Sequence, residues 1–235
     1  MKTVFITGAD RGIGFALCQE FLNHGFEVFA GQFMPSWPQL AELGAQSGGH
    51  LHILPLDVGS TESVRKAAEM VTEVCRELQA CGLDILVNCA GIAGGDGTTV
   101  QQLERAVNVN AVGALRMTEC FLPLMEKGRK RLCYISSEAG CISLAHRDGG
   151  YPYCASKTAL NMAVKLMFNE LRPEGYTFRL YHPGWVNTYM SGEKSNRGRF
   201  EAEETAAAAF LQFTSDREWE DVLVMTDVKG ESWPF

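Results

Sequence analysis

No stretch of the 235-residue chain has the length and apolarity of a membrane span. Met1–Gly8 reads as a short strand ending in a glycine turn, not as a signal peptide. The eight cysteines (Cys18, Cys75, Cys81, Cys89, Cys120, Cys133, Cys141 and Cys154) contain no Cys-x-x-Cys pair, and no Cys/His cluster has zinc-like spacing. No metal site is therefore expected. Unpaired and mostly set in hydrophobic segments, the cysteines read as buried thiols of a reducing compartment, which predicts a cytoplasmic protein. Basic charge is in deficit: 21 Lys and Arg against 28 Asp and Glu leave a net charge of −7. That balance argues against nucleic-acid or anionic-membrane partners, and a phosphate-bearing ligand would need a local binding device. Repeats and low-complexity linkers are missing too. What remains is 46% hydrophobic and 21% charged. It is long enough for one domain, residues 1–235, to bury a large core without disulfide or metal support.

Short apolar runs alternate with longer amphipathic stretches. Strands are predicted at Thr3–Thr7, Glu27–Gly31, Leu51–Leu56, Asp84–Asn88, Arg131–Ser136, Tyr176–His182 and Asp221–Met225. Helices are predicted at Ile13–Asn23, Ser60–Gln79 (opened by Ser60, with Glu62 in its first turn), Ala111–Lys127, Tyr153–Leu171 and Glu201–Phe213. Gln32–Gly49 and Gly140–Gly150 lack strong periodicity, and the polar stretch Tyr189–Arg199 reads as a mobile loop. Strands alternating with helices predict an α/β fold: a single doubly wound Rossmann-type domain, its seven-stranded, mostly parallel sheet covered by helices on both faces.

The first strand runs into Thr7-Gly8-Ala9-Asp10-Arg11-Gly12-Ile13-Gly14. Glycines let a backbone turn sharply and approach a pyrophosphate, and the helix that opens there offers free N–H groups to an anion. A tight strand–helix packing turn would use the same residues. Tyr153 and Lys157 stand four apart on one helix face. A free phenol titrates near 10, and a neighbouring ammonium favours its phenolate; an ordinary surface pair would have the same spacing. Together these motifs are more specific. Gly8, Asn88-Cys89-Ala90-Gly91, Ser136-Ser137 and Pro183-Gly184 each follow a predicted strand. All fall on the carboxyl edge of the sheet, where open parallel sheets bind ligands.

These residues resemble the short-chain dehydrogenase/reductase family along nearly the whole chain. The likeness rests on Thr7-Gly8-x-x-x-Gly12-x-Gly14, Asp57-Val58, Asn88-x-Ala90-Gly91, Asn110-x-x-Gly113, Ile135-Ser136-Ser137, Tyr153-x-x-x-Lys157 and Pro183-Gly184-x-x-x-Thr188, in the family's order. Tyr153–Met162, His182–Thr188 and the terminus Gly230-Glu231-Ser232-Trp233-Pro234-Phe235 are most similar to the sniffer and C-factor branch of carbonyl-reductase-like proteins. The resemblance implies that Tyr153 is the acid/base, that Lys157 lowers its pKa and holds the nicotinamide ribose, and that Ser137 hydrogen-bonds the substrate oxygen. Ser137 is preferred to Ser136 because Glu138-Ala139-Gly140 follows it in the family's x-x-Gly pattern. Asn110 would hold a water that links Lys157 to solvent. Gly8, Asp10, Arg11, Gly12, Ile13 and Gly14 would cradle the pyrophosphate. Asp57 and Val58 would face adenine, and Asn88, Ala90 and Gly91 would support the adenosine side. Pro183, Gly184, Val186 and Thr188 would complete the nicotinamide side, with Thr188 touching the carboxamide. Departures from the family are a longer Ser137–Tyr153 spacing and an altered closing strand, which predicts a monomer or homodimer rather than a tetramer.

The implied activity is NADP(H)-dependent interconversion of a small-molecule carbonyl and alcohol. NADP(H) is preferred because Gln32 stands about where NAD-binding relatives carry an acid. Gly31–Leu40 has no acidic residue, and Arg11 precedes Gly12. The alternative is a non-catalytic NADP(H)-binding regulator, against which the intact Asn110, Ser137, Tyr153 and Lys157 set argues. An epimerase or dehydratase of the extended relatives would need a longer chain. Leu144, Tyr151, Trp185, Tyr189 and Met190 are candidates for a substrate pocket or for loop packing, and His146 reads as a solvated loop side chain.

Overall fold

The computed structural model describes residues 1–94, 99–190 and 192–235. Strand β1 (Lys2–Ile6) pairs in parallel with β2 (Phe26–Gln32) on one side and β4 (Ile85–Asn88) on the other. β3 (Leu51–Pro55) extends the sheet beyond β2; β5 (Arg131–Ile135), β6 (Thr177–His182) and β9 (Met225–Asp227) extend it beyond β4. These are the predicted parallel strands. The short β10 (Ser232–Trp233) turns back antiparallel on β9 as an eighth. β7 (Val186–Asn187) and β8 (Phe200–Glu201) form a separate ribbon. The chain builds outward from β1 through β2 to β3, then returns to β4, so the sheet has its switch point between β1 and β4.

Helices α1 (Gly12–Asn23), α2 (Gln39–Gln46) and α7 (Ala202–Thr214) cover one face; α3 (Thr61–Glu77), α4 (Val100–Val107), α5 (Gly113–Met125) and α6 (Tyr151–Leu171) cover the other. In β1, Val4 and Ile6 enter the core shared with Leu17, Phe21 and Phe213, whereas Phe5 enters the core shared with Val64, Phe121 and Val164. This period of two loads both faces, which is why the strands read as continuous apolar runs.

Several boundaries differ from expectation. Gln32–Gly49 contains α2, whose single buried residue, Leu40, is too little to mark a period. Helix α4 has a similarly thin signature, one buried alanine, although Thr99 and Gln102 form a capping box that announces it. The helix expected over Ala111–Lys127 begins as a π-helical turn, Asn108–Val112, and continues as α5. The last strand is Met225–Asp227 rather than Asp221–Met225, because β6 pairs from Leu180 with Met225. Ser60 does cap α3, its hydroxyl accepting the Ser63 N–H at 3.3 Å.

Arg131 and Arg179, each 1% exposed, fasten the segment after α7 to the sheet. Arg131 donates to the Phe213 and Ser215 carbonyls and to Asp216; Arg179 donates to the Gln212 and Ser215 carbonyls and to both oxygens of Glu220. Cys133, buried two residues after Arg131 on β5, pairs in register with Arg179.

Burial pushes the Cys133 thiol up to about 12, and Cys18 above that range. Stability from such groups is complete below the unfolded thiol's value and is lost as pH rises toward the folded one. Each costs about 1.4 kcal/mol per pH unit above about 9. Lys157, held down to about 8, works oppositely between 8 and 10.5. We expect Cys133→Ala to flatten the alkaline loss of stability by about one such increment. Urea unfolding at pH 8, 9 and 10 reads this directly, and an unchanged slope would exclude the thiol as its source.

Candidate active site

The strand β1 ends in a turn that glycine alone can make. Gly8 and Gly12 have φ of +65° and +61°. A Cβ on Gly8 would meet Ala90 Cα at 2.8 Å, and one on Gly14 would meet the Gly8 carbonyl oxygen at 2.1 Å. Thr7 locks this turn to the one after β4: its hydroxyl accepts the Cys89 and Ala90 N–H groups, both at 2.9 Å. Helix α1 then opens with no side-chain cap and no acid in its first turn, so Ile13 and its neighbours present N–H groups to the cleft.

Asp10 differs from expectation. Its carboxylate is buried and accepts the Phe33 and Met34 N–H groups at 3.0 and 2.7 Å. It holds the loop after β2 in place, beside the half-buried Gln32 at the strand's end. Arg11 is reached from two loops at once: its guanidinium lies 5.1 Å from the Trp37 ring and 5.9 Å from Tyr189. Trp37 was not foreseen. Tyr189, a candidate for the pocket or for loop packing, packs edge-on against it at 5.0 Å. Thr188 stands against the turn, 3.4 Å from where a Gly12 Cβ would be.

After β3, the Asp57 carboxylate accepts the Gly59 N–H at 2.8 Å, and Val58 is buried against Gly113. The Asn88 amide is buried, and neither its Oδ1 nor its Nδ2 has a hydrogen-bond partner among the described residues. It lines a small cavity with Thr7, Ala90 and Asn110.

The proposed acid/base lies on α6. Tyr153 is half-buried with its phenol toward Ser137, and Lys157 is buried below it, Nζ donating to the Ile135 carbonyl at 2.8 Å and lying 5.8 Å from the Tyr153 ring centre. Burial pushes the Tyr153 phenol above its ordinary value; the Ser137 hydroxyl pulls the other way. The lowering expected from Lys157 does not enter this balance, and burial brings Lys157 itself down to about 8. Ser136 is fully committed inward, donating to Asn161 Oδ1 at 2.5 Å, which leaves Ser137 as the serine at the cleft.

Asn110 sits in the π-helical turn, a local irregularity frequent at functional sites. Its amide donates to the Ile92 carbonyl and to Ser156 Oγ, both at 2.8 Å, and accepts the Ile92 N–H. Both amide donors are thus taken. Gly91 lies beside it: a Cβ there would be 3.4 Å from Asn110 Oδ1 and 3.8 Å from Lys157 Nζ.

At the far side, the buried Pro183 accepts the Thr205 hydroxyl at 2.8 Å through its carbonyl, and Gly184, φ +74°, makes room for the Phe200 ring. Val186 pairs with Phe200, and the Ser195 and Arg199 N–H groups bond back to the Thr188 and Trp185 carbonyls. The stretch expected to be a mobile loop is thereby tied at both ends; Ser191 within it lies outside the described residues. Leu144, Tyr151, Trp185 and Met190 are exposed, and His146 is an exposed side chain near the Leu144 carbonyl. Two neighbours went unforeseen. Glu138 and Arg147 form an ion pair beside Ser137. The C-terminal segment also reaches the site: Trp233 packs edge-on against His182 at 4.9 Å, and the Pro234 carbonyl meets the Cys141 thiol.

A family pattern described as short chain dehydrogenase matches residues 2–198. Mouse estradiol 17-beta-dehydrogenase 2 is 32% identical over 206 residues, 86% of this chain and 52% of that protein; this chain therefore spans about half its length. The C-signal protein of Myxococcus xanthus is 43% identical over 117 residues, 47% of this chain and 69% of that one. Among solved structures, carbonyl reductase Sniffer of D. melanogaster superposes with a TM-score of 0.90 at 25% identity, covering 100% of both chains. An NADPH-bound carbonyl reductase from chicken fatty liver gives 0.87 at 28% identity, covering 100% of this chain and 99% of that one. With its sheet order, its glycine turn and the Ser137, Tyr153 and Lys157 cluster, the chain belongs to the short-chain dehydrogenase family.

Proposed function

We propose that this protein is an NADP(H)-dependent oxidoreductase that interconverts a carbonyl and an alcohol, with Tyr153 as acid/base. The observation that carries this reading is the meeting of Ser137, Tyr153 and Lys157 on the strand edge that also bears the glycine turn. The residues suit a dinucleotide. Side chains at Gly8 or Gly14 would fill the turn, the start of α1 is uncapped, and the buried Asn88 amide has unmet hydrogen-bonding capacity. We read residues 1–235 as one catalytic domain in the cytoplasm, acting as a monomer or homodimer. Among the described residues no helix is long and apolar enough to cross a membrane. The Sniffer and C-signal likenesses support placing it near the carbonyl-reductase branch.

In this reading Gly8, Gly12, Ile13 and Gly14 hold the pyrophosphate through backbone N–H groups, and Asp10 fixes the loop that borders the adenosine ribose. Gln32, Asp57, Val58, Asn88, Ala90 and Gly91 border the adenosine half; Pro183, Gly184, Val186 and Thr188 border the nicotinamide. A nicotinamide bound there would supply or accept the hydride. Lys157 holds the adjoining ribose and places positive charge below Tyr153. The phenol, pushed up by burial and so protonated at neutral pH, gives its proton to the carbonyl oxygen. Ser137 donates to that same oxygen as charge grows there. Asn110 fixes Ile92 and Ser156 around the proton path. Oxidation of NADPH against a panel of aldehydes, ketones and quinones tests the activity; no turnover with any of them would refute it.

Arg11 carries cofactor choice. It is a cation at the turn with no carboxylate within salt-bridge distance among the described residues, and Gly31–Leu40 offers no acid to repel a 2′-phosphate. Charge-assisted bonds from a guanidinium are worth about 1.5–3 kcal/mol, or roughly tenfold or more in affinity. We expect NADPH to bind more tightly than NADH, with the gap shrinking about tenfold in Arg11→Ala. Equal wild-type affinities in fluorescence titration would contradict the assignment.

A further inference from the structure

Resting on the oxidoreductase reading above, we propose that Glu138 is a positioning residue that holds the Ser137 hydroxyl away from the substrate oxygen, and that Arg147 sets how firmly it does so. A serine has one hydroxyl proton. That of Ser137 is donated to Glu138 Oε2 at 2.7 Å. The Ser137 oxygen accepts the Ala139 N–H at 3.1 Å and lies on the side toward which the Tyr153 phenol points. Its donor is therefore spent inside the protein. The other oxygen of Glu138 is held by the Arg147 guanidinium, from the loop that precedes α6. The remaining titratable groups facing Glu138 are Tyr153 from α6, His182 from β6, whose Nδ1 receives the Glu138 N–H at 3.4 Å, and the Cys141 thiol.

For Ser137 to stabilise charge on a reacting oxygen, its hydrogen must leave Glu138. Hydrogen bonds to a carboxylate are stronger than those to a neutral acceptor, so Glu138 competes with the substrate oxygen for one proton. Its negative charge also opposes the charge that develops there. Arg147 counters both effects: it draws on the carboxylate's other oxygen and offsets its charge. The two partners of this ion pair should therefore change catalysis in opposite directions, whereas a pair that only braces the loop would change it in one direction. Because Ser137 is recruited as the transition state forms, the effect belongs to kcat rather than KM.

The test is steady-state NADPH oxidation by full-length wild type, Glu138→Gln, Arg147→Ala and Arg147→Lys, using the panel carbonyl with the highest kcat/KM, with thermal melting run alongside. Glu138→Gln keeps an acceptor of the same shape and should raise kcat by about three- to tenfold with KM little changed. Arg147→Ala should lower kcat by a similar factor, and Arg147→Lys should restore most of it. If both partners' removal slows the enzyme, or if Glu138→Gln leaves kcat unchanged, the proposal is overturned. Should Arg147→Ala fail to fold, the sign of the Glu138→Gln effect decides alone. A wild type without turnover on any carbonyl refutes the functional reading and this inference with it. A wild type that turns over, with Glu138→Gln no faster, refutes this inference only.

Discussion

Tyr153→Phe lowers turnover by about two orders of magnitude or more while NADPH binding stays nearly unchanged. The phenylalanine ring refills the half-buried position on α6, so packing is preserved and only the O–H is lost. Lys157 keeps its bond to the Ile135 carbonyl, and the glycine turn, more than a hundred residues earlier in the chain, is untouched. The pH dependence should follow the phenol. Since burial holds its pKa above the ordinary value, Tyr153 is protonated through neutral pH, ready to act as an acid in carbonyl reduction. Alcohol oxidation needs the phenolate and should keep rising with pH into the alkaline range. Stopped-flow or steady-state rates in both directions, with fluorescence titration of NADPH, check this. Comparable turnover in Tyr153→Phe would remove Tyr153 from the chemistry.

Arg179→Ala should destabilise the fold by about 3–5 kcal/mol, because a buried guanidinium is lost from a half-buried glutamate and two backbone carbonyls. The guanidinium is 1% exposed and donates to Glu220 through two nitrogens while also serving the Gln212 and Ser215 carbonyls. Its removal leaves those groups short of donors and loosens the segment that joins α7 to β9. For a chain of this size the melting temperature should fall by roughly 10 °C. The site lies beyond the opposite ends of the strands, so NADPH affinity of the folded protein should hold. A melting temperature within about 2 °C of wild type would show that the neighbouring Arg131 and Arg217 can take over the role.

The elements that sequence alone determined are those written in local periods. Alternation in Val4-Phe5-Ile6 and its counterparts marked the parallel strands, because each residue enters one of two cores. Gly8, Gly12 and Gly14 marked the turn, because a positive φ or a backbone approach of 2.1 Å admits nothing larger. Tyr153 and Lys157 fell together because four residues are about one helical turn. Short elements with little buried surface, α2 above all, left no such trace.

What the tertiary structure alone decided are contacts between segments far apart in the chain. Asp10 reads as a turn residue until β2 brings the Phe33 and Met34 N–H groups to it. Trp37 and Tyr189 converge on Arg11 only because their loops leave the same sheet edge. The rise in the Tyr153 pKa also comes from packing: the spacing of Tyr and Lys specifies neighbours on one helix face, but the desolvation that pushes the phenol up depends on how much protein surrounds it. The direction of the Ser137 proton was decided in the same way, by a glutamate next to it and an arginine that the loop before α6 folds back to meet it.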